Sequence, residues 1–579
     1  MTVKTFSQLK RVLKNPIAGQ KEVRLVLLGD TSTQFLSQAL RGTGLEHGLD
    51  LQIWEADFNQ IELQVFDSNS ELYAFKPQIV IIFQSTHKLL GTYDKLDQEQ
   101  RAHFAEVQAV LIERMYETIQ ENLKANVIFY NFPEIDDSVF GSYSNKMEIS
   151  FLFQLRNLNV KMMSLASRAS SFHLCDLSAI QNRVGKGMMF QPSIYVNSDM
   201  VLTIDVIPTV AARTLDVLAA MQGKARKCLI LDLDNTLWGG VIGDDGMENI
   251  QLGTLGIGKA FTEFQYWIKK LKDRGIILAV CSKNTESVAK EPFEKHPDMV
   301  LRLSDIAVFV ANWENKADNI RLIQQTLNIG FDSMVFLDDS PFERNMVREN
   351  IQGIKVPELP EDPADFLDYL YSLNLFETAS NSNEDIKRTT LYQLDAQRKE
   401  VQEKFANEDD FLESLHMVST VEPFTKFNIP RVAQLSQRSN QFNLRTVRYA
   451  EADIAEISLS STHFGFSFTL EDKFGDNGMI CAVILKKEET DALFVDTWFM
   501  SCRVLKRGME NLVLNTVVEF AKKRGYLRLV GEYLPTIKND MVKDHYKNLG
   551  FERVEGLWEL DVRRYSTRRT FIKRKSEQG

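Results

Sequence analysis

The chain alternates short apolar runs with amphipathic helical segments, and this alternation restricts the folds that it can adopt. Near the N-terminus the run VRLVLLG (23–29) precedes a helical segment, and the runs PQIVIIF (77–83) and NVIFYNF (126–132) flank another. The runs KCLILDLDNT, IILAVCSKN and SMVFLDDSPFE repeat the pattern between 227 and 343. Because strands that alternate with helices form parallel sheets, we expect an α/β fold in both parts.

The length and charge of the chain limit its organisation and partners. Its 579 residues exceed one hydrophobic core, since domains usually hold about 100 to 200 residues. We expect α/β domains at 1–222 and 223–376, a helical connector at 377–425 and an α+β domain at 426–579. With 68 Lys and Arg against 79 Asp and Glu, the net charge of −11 argues against a nucleic-acid partner.

The cysteines and the hydropathy pattern indicate the compartment. The five cysteines show no CxxC spacing, so neither a disulfide framework nor a zinc site is expected. No apolar run approaches the roughly 20 residues of a membrane span. We therefore expect a cytoplasmic protein with no membrane partner.

The stretch ILDLDNTLWGG (230–240) places Asp232 and Asp234 two residues apart, directly behind an apolar run. If the strand continued, both side chains would share one face at about 6 to 7 Å. Two like charges that close raise each other's pKa unless a cation lies between them or the chain bends away. Mg²⁺, which prefers oxygen ligands and takes few carboxylates, suits such a place.

Two further strand ends and the start of one helix, at Lys316, carry polar residues. AVCSKN (279–284) supplies Ser282, ANWENKADNI (311–320) supplies Lys316, and FLDDSP (336–341) supplies two acids. In an open parallel sheet these strand ends converge in one crevice. Any one of these residues alone is more often a cap, a turn or a solvated lysine. Together they predict a metal-assisted pocket for a small phosphorylated substrate, where one Asp attacks phosphorus and a second protonates the leaving oxygen.

On these motifs, residues 224–350 resemble the haloacid-dehalogenase (HAD) phosphotransferase superfamily. The resemblance implies that Asp232 is the nucleophile and Asp234 the acid and base. The full set that it implies comprises catalytic Asp232, Asp234, Ser282 and Lys316, substrate contacts Thr236 and Asn284, and Mg²⁺ ligands Asp232, Asp234 and Asp339. Asp338 is expected to support the site without binding the metal.

Longer strings resemble a narrower group, the FkbH-like family, over nearly the whole chain. They are KCLILDLDNTLWGGVIGDDG (227–246), FLDDSPFER (336–344) and QFNLRTVRY (441–449). The resemblance implies transfer of a glyceryl group from 1,3-bisphosphoglycerate to the phosphopantetheine thiol of an acyl carrier protein, with loss of phosphate, in polyketide or secondary-metabolite biosynthesis. The alternative is a Mg²⁺-dependent HAD phosphatase that acts on another phosphate ester, with the outer domains as docking modules.

The C-terminal part resembles the GNAT N-acetyltransferases at FVDTWFMSCRVLKRGMENLVLNTVVEFAKKRG (494–525). In that fold a turn at a helix N-terminus holds a coenzyme pyrophosphate. Lys506 replaces the first glycine of the turn, so we expect a basic pocket for a phosphopantetheine arm, with Arg503 and Arg507 as contacts. Basic neighbours also lower a thiol pKa, which makes Cys502 a candidate acyl-thioester residue. A buried, unreactive cysteine is the alternative.

The N-terminal LLGDTST (27–33) resembles the first motif of SGNH hydrolases. Thr31 follows the Gly-Asp pair where that family has its nucleophilic serine, and no later Asp-x-x-His completes a triad. We therefore expect an SGNH-like domain that binds or scaffolds and does not hydrolyse.

Overall fold

In a computed structural model the chain divides into two compact units, Met1–Met221 and Gln222–Gly579. The structure describes residues 3–15, 19–381, 386, 388–402, 404–439, 441–488, 491–501, 504–536 and 539–575. Cys502 and Arg503 lie outside the described residues. Within the described ranges, no helix combines the length and the apolar character that a membrane crossing requires.

The first unit is built on a five-stranded parallel sheet in the order β2-β1-β3-β4-β5. Its strands are β1 (Lys21–Gly29), β2 (Leu49–Glu55), β3 (Ile79–Phe83), β4 (Asn126–Tyr130) and β5 (Phe172–Cys175). Its helices are α1 (Phe6–Lys14), α2 (Gln34–Glu46), α3 (Ile61–Phe66), α4 (Glu71–Phe75), α5 (Thr86–Tyr93), α6 (Gln98–Ala102), α7 (Phe104–Leu123), α8 (Phe151–Arg168), α9 (Leu177–Val184), α10 (Lys186–Met189), α11 (Pro192–Ser198) and α12 (Ile207–Met221). Helices cover both faces, which explains why β3 and most of β1 are buried. The expected parallel α/β fold is confirmed.

The second unit begins with a four-stranded parallel sheet in the order β8-β7-β6-β9. Its strands are β6 (Cys228–Leu231), β7 (Ile277–Ser282), β8 (Ile306–Ala311) and β9 (Met334–Leu337). Its helices are α13 (Ile242–Asp245), α14 (Gly256–Asp273), α15 (Glu286–Lys295), α16 (Lys316–Leu327), α17 (Pro341–Asn350) and α18 (Phe366–Leu373). The strands β6, β7 and β9 are buried throughout, so their apolar runs were readable from sequence.

A polar helical segment follows, with α19 (Arg388–Gln402) and α20 (Glu408–Ser414). The helix α19 contacts both the four-stranded parallel sheet that precedes it and the C-terminal region that follows it. The amide of Gln393 donates to the carbonyls of Ser304 and Ile306 beside β8, at 3.1 and 3.0 Å. Farther along, Arg398 forms an ion pair with Asp472 in the C-terminal region. The connector is therefore part of the packed second unit.

The C-terminal region forms a mixed sheet in the order β16-β17-β15-β14-β13-β12-β10-β18, and β11 also pairs with β12. Its strands are β10 (Val418–Ser419), β11 (Val421–Pro423), β12 (His463–Asp472), β13 (Gly475–Lys487), β14 (Ala492–Met500), β15 (Arg528–Gly531), β16 (Glu552–Val554), β17 (Leu557–Asp561) and β18 (Lys573–Arg574). Its helices are α21 (Ile429–Arg438), α22 (Glu451–Leu459), α23 (Met509–Arg524) and α24 (His545–Asn548). Because β10 and β11 pair with β12, this sheet starts inside the 377–425 range that the sequence suggested for the connector.

Candidate active site

The expected catalytic residues lie where parallel strands end at one edge of the sheet. Asp232 follows β6 directly, and its backbone N–H still donates to the carbonyl of Leu337 on β9 at 3.0 Å. The chain then turns, because Asn235 has a positive φ of 54° and accepts a hydrogen bond from the N–H of Gly240. The strand β6 ends at Leu231, and Asp234 forms a separate bridge with Trp238, so Asp232 and Asp234 do not continue one extended strand.

Three carboxylates meet at this edge. One oxygen from each of Asp232, Asp338 and Asp339 lies within 4.8 Å of the other two. The ammonium of the buried Lys316 contacts Asp232 at 2.8 Å and Asp338 at 2.5 Å. Lys316 is the first residue of α16, whose N-cap side chain is Asn315. Three carboxylates and one ammonium leave an excess of negative charge in a buried place.

The pKa values at this edge reflect that excess charge. Burial, followed by the charge of Asp232, raises the pKa of Asp338 to about 7, although Lys316 lowers it. The same two causes raise the pKa of Asp339. Burial by itself lowers the pKa of Lys316, but the carboxylates of Asp232 and Asp338 raise it above its ordinary value. A divalent cation would relieve this repulsion, and an all-oxygen donor set suits Mg²⁺.

The carboxylate of Asp234 has other partners. One oxygen accepts hydrogen bonds from the indole N–H of Trp238 and the N–H of Ile242, both at 3.0 Å. The other accepts from the amide of Asn284 at 3.1 Å. Burial raises the pKa of Asp234, while the bonds from Ile242 and Trp238 lower it. The carboxylate cluster of Asp232, Asp338 and Asp339 does not include the Asp234 side chain, so the expected role of Asp234 as a Mg²⁺ ligand stays a prediction.

Three other expected residues are also placed at this edge. Ser282 is the buried last residue of β7, and the buried Asn284 lies two residues after it. The hydroxyl of Thr236 accepts from the N–H of Asp339 at 3.1 Å and lies 3.4 Å from its carboxylate. Thr236 therefore orients Asp339 from within the protein and is itself fully buried.

Sequence reasoning missed Arg344, which holds the acidic loop in place. Its guanidinium donates to the carbonyls of Asp338 and Asp339 at 2.8 and 2.6 Å, and it pairs with Glu358 at 2.9 Å. Arg344 is the last residue of the string FLDDSPFER, but its position in that string does not indicate which groups it contacts.

The C-terminal residues expected to bind a phosphopantetheine arm have a different environment. The guanidinium of Arg507 is buried and donates to the carboxylates of Asp395 at 2.7 Å and Asp472 at 3.2 Å. Arg398 of α19 pairs with the same two carboxylates. Two arginines and two aspartates form a neutral group, so Arg507 does not present a free positive charge.

In the C-terminal sheet, β15 pairs with only part of one edge of β14, and another segment of the chain pairs with the rest of that edge. The strands β14 and β15 pair only from Ala492 to Val495 on β14, so the rest of that edge of β14 is not paired with β15, while its other edge stays paired with β13. Beyond that point Asn443 pairs with Phe499, and the N–H of Leu444 donates to the carbonyl of Trp498 at 3.3 Å. The segment 442–444 thus occupies the free edge of β14. Next to it, Arg445 forms ion pairs with Asp496 and Glu532 at 2.8 Å each.

The four-stranded parallel sheet of the second unit, with a carboxylate triad and a paired lysine at its carboxyl edge, defines a HAD-like phosphatase domain. Comparisons with known proteins agree with this class. The crystal structure of the N-terminal part of the protein BF1531 from Bacteroides fragilis, which contains a phosphatase domain complexed with Mg, is 54% identical in sequence. The match covers 65% of this chain and 100% of that chain, with a TM-score of 0.63.

The family model of the FkbH N-terminal domain matches residues 24–219. Because more than half of the residues are identical over the full length of the Bacteroides fragilis chain, and because this model matches the first unit, the chain belongs to the FkbH-like family. None of the curated proteins matches the sequence.

The C-terminal region has weaker structural similarities. The ribosomal-protein-S18-alanine N-acetyltransferase from Escherichia coli is 16% identical over 25% of this chain and 94% of that chain, with a TM-score of 0.20. The GNAT domain of S. lividans PAT is 19% identical over 24% of this chain and 89% of that chain, also at 0.20. Both TM-scores are too low to define the fold or the activity of this region.

Proposed function

We propose that the protein is a Mg²⁺-dependent enzyme that uses an acyl phosphate, such as 1,3-bisphosphoglycerate. It releases phosphate and loads the acyl group on the phosphopantetheine thiol of an acyl carrier protein. The observation that carries the proposal is the buried cluster of Asp232, Asp338 and Asp339 with Lys316, in a chain of the FkbH-like family. The Mg in the Bacteroides fragilis phosphatase domain supports the choice of metal.

The residues of this chain would share the work as follows. Asp232 and Asp339 would hold Mg²⁺, with Asp338 beside them, and the bound ion supplies positive charge against the phosphoryl oxygens. Lys316 and Ser282 would hold those oxygens at the ends of β8 and β7. Asp234, which is fixed by three hydrogen bonds and whose pKa is raised by burial, would carry the proton of the leaving oxygen.

The bond that breaks separates this proposal from its alternative. In acyl transfer a thiol attacks the acyl carbon, the C–O bond breaks, and phosphate leaves with all four substrate oxygens while the thiol loses its proton. In a phosphatase Asp232 attacks phosphorus, the P–O bond breaks, and water hydrolyses the aspartyl phosphate, which gives phosphate one oxygen from water. The neutral ion-pair group around Arg507 favours the alternative, because it offers no free cation to a phosphopantetheine arm.

The test offers the enzyme 1,3-bisphosphoglycerate, Mg²⁺ and a holo acyl carrier protein in ¹⁸O-labelled water. We expect the carrier to gain the mass of one glyceryl group, and we expect two phosphates to be released. The phosphate that leaves in acyl transfer should carry no ¹⁸O, and the phosphate that leaves when the C3 ester is hydrolysed should carry one. An apo carrier, which lacks the thiol, is the matched control and should gain no mass. Phosphate that carries one ¹⁸O, with an unchanged carrier, would replace the transferase by the phosphatase.

We also propose that the first unit, compared above with SGNH hydrolases, has a binding or scaffolding role. Thr31 is fully buried, and within the described residues its hydroxyl has no hydrogen-bond partner. The N–H of Ser85 donates a bifurcated hydrogen bond to both carboxylate oxygens of Asp30, at 2.8 and 3.0 Å. The ring of His87 packs against Phe190 and Tyr195. These contacts support a unit without hydrolytic activity. Ester hydrolysis by the wild type that is lost in the Thr31→Ala variant would refute this proposal.

A further inference from the structure

A second lysine lies at the same sheet edge and pairs across it. The ammonium of Lys283 lies 2.7 Å from a carboxylate oxygen of Glu343. Lys283 follows the end of β7, whereas Glu343 lies in the first turn of α17, which follows β9. The strand β6 runs between β7 and β9. The ion pair therefore spans the end of β6, where Asp232 stands.

Glu343 is built to keep Lys283 in this position. Its side chain is only 10% exposed, and its second carboxylate oxygen is buried with no hydrogen-bond partner in the described part of the chain. A buried carboxylate that lost its only ion partner would pay a large desolvation cost. Lys283 is thus held at the edge and does not swing freely into solvent.

Lys316 and Lys283 differ in their exposure and in how many hydrogen-bond donors they have left for a ligand. Lys316 is 4% exposed and is engaged by two carboxylates, which suits it to the reacting phosphate. The side chain of Lys283 is 36% exposed and pairs with one carboxylate, although an ammonium has three donors. Its immediate neighbours, Ser282 and Asn284, both belong to the site. A cation with spare donors at the edge of a phosphate pocket suits an anion that is carried on the substrate itself.

We propose that Lys283 binds a second anionic group of the substrate, a carboxylate or a phosphate remote from the reacting phosphoryl group, and that Glu343 is its positioning residue. This inference rests on the proposed function and assigns a residue to the distal anion, which 1,3-bisphosphoglycerate carries as its second phosphate. Phosphates without such an anion would bind only through Lys316 and the Mg²⁺ that the carboxylates would hold.

The test compares two unreactive ligands by isothermal titration of the full chain with Mg²⁺. Ethylphosphonate carries one anionic group, and 3-phosphonopropionate adds a carboxylate. We expect the wild type to bind 3-phosphonopropionate about 10-fold more tightly or better, in line with one charge-assisted contact. Lys283→Gln should reduce this preference to below about 3-fold, and Lys283→Arg should retain most of it.

Two further variants keep the outcome interpretable. Lys290→Gln is the matched control, because Lys290 has a similar exposure of 34% and also pairs with a glutamate, but on α15. It should keep the wild-type preference. The double variant Lys283→Gln with Glu343→Gln removes both charges without leaving one unpaired, and it should lose the preference and stay folded.

A wild type without the preference, or a Lys283→Gln variant that keeps it, would overturn the inference. Neither ligand is an acyl donor and no carrier is present, so failure here is distinct from failure of the carrier-loading test. If the carrier gained no mass but the wild type still preferred 3-phosphonopropionate, the protein would be the phosphatase of the alternative. Its substrates would be phosphorylated compounds with a second anionic group.

Discussion

At the residue scale, Asp232 and Asp234 stand two positions apart and have different partners. Asp232 contacts the ammonium of Lys316 and belongs to the carboxylate cluster. Asp234 is tied by hydrogen bonds to Trp238, Ile242 and Asn284. One acid is therefore placed to meet a metal and a phosphate, and the other is placed to hold a proton.

The two acids of the following loop also differ, and Mg²⁺ affinity should separate them. The carboxylate of Asp338 is shared between Lys316 and the N–H of Ser340, whereas that of Asp339 is oriented by Thr236. We expect Asp339→Asn to weaken Mg²⁺ binding by at least about 10-fold and Asp338→Asn to weaken it less. Isothermal titration of both variants with Mg²⁺ checks the order. The reverse order would assign the ligand to Asp338.

Cys502, which lies outside the described residues, carries a separate prediction. If its thiol holds the acyl group between the phosphate site and the carrier, Cys502→Ala should still release phosphate slowly but load no carrier. Wild-type protein given substrate without carrier should then show an acyl adduct on the peptide that contains Cys502. Mass spectrometry checks both, with Cys481→Ala as control since Cys481 is buried in a strand. Wild-type carrier loading by Cys502→Ala, without an adduct, would make transfer direct.

At the scale of elements, helix α17 closes the acidic loop through its own side chains. Ser340 caps the helix, Pro341 is its first residue, and Arg344 donates back to the carbonyls of Asp338 and Asp339. The loop that carries two of the three carboxylates is thus held from the helix that follows it.

Removal of this clamp should weaken the metal site. We expect Arg344→Met to lower Mg²⁺ affinity and the free energy of unfolding, the latter by about 1–3 kcal/mol for each carbonyl left unpaired. Arg348→Met is the matched control, because Arg348 also pairs with Glu358 but is 32% exposed and does not contact the loop carbonyls. Titration with Mg²⁺ and urea unfolding check both variants. Equal effects of the two substitutions would deny Arg344 its positioning role.

The elements also show what the sequence could predict. The strands β6, β7 and β9 are continuous buried runs, so both they and the polar residues at their ends were readable. The half-exposed β2 and the four-residue β5 are weak signals and were not anticipated.

Two features of the sites could not be read from the sequence, for physical reasons. The turn that follows Asp234 depends on a left-handed residue, Asn235, which no pattern of apolar residues records. The pairing of 442–444 with β14 joins segments more than 50 positions apart, and Arg507 meets Asp395 across 112 positions. Such contacts are decided by tertiary packing.

At the scale of the whole molecule, helix α19 links the phosphatase domain to the C-terminal region through buried charges. Gln393 contacts the start of β8, the edge strand of the four-stranded parallel sheet. Arg398 pairs with Asp395 on α19 itself and with Asp472 in the C-terminal region. Since Arg507 shares both carboxylates, each arginine compensates a charge that would otherwise be buried alone.

This group should therefore be sensitive to the loss of one member. We expect Arg398→Ala to lower the free energy of unfolding of the second unit by about 3–5 kcal/mol, because the carboxylates of Asp395 and Asp472 lose a partner. Lys523→Ala, in an exposed pair with Glu519, should change it by less than about 1 kcal/mol. Urea unfolding of both variants, monitored by hydrogen exchange of the backbone amides of α19, tests this expectation. A similar small effect of both would show that the connector is held by apolar packing alone.

The charge of Asp232 is central to the proposed activity, and the substitution Asp232→Asn tests that role directly. The change is nearly isosteric but removes both a metal ligand and the nucleophile of the phosphatase route. We expect phosphate release from an acyl phosphate to fall by about 1,000-fold or more, with circular dichroism as in the wild type. Asp318→Asn, at an exposed position of α16, should release phosphate at the wild-type rate. Wild-type turnover by the folded Asp232→Asn variant would contradict the assignment of this sheet edge as the active site.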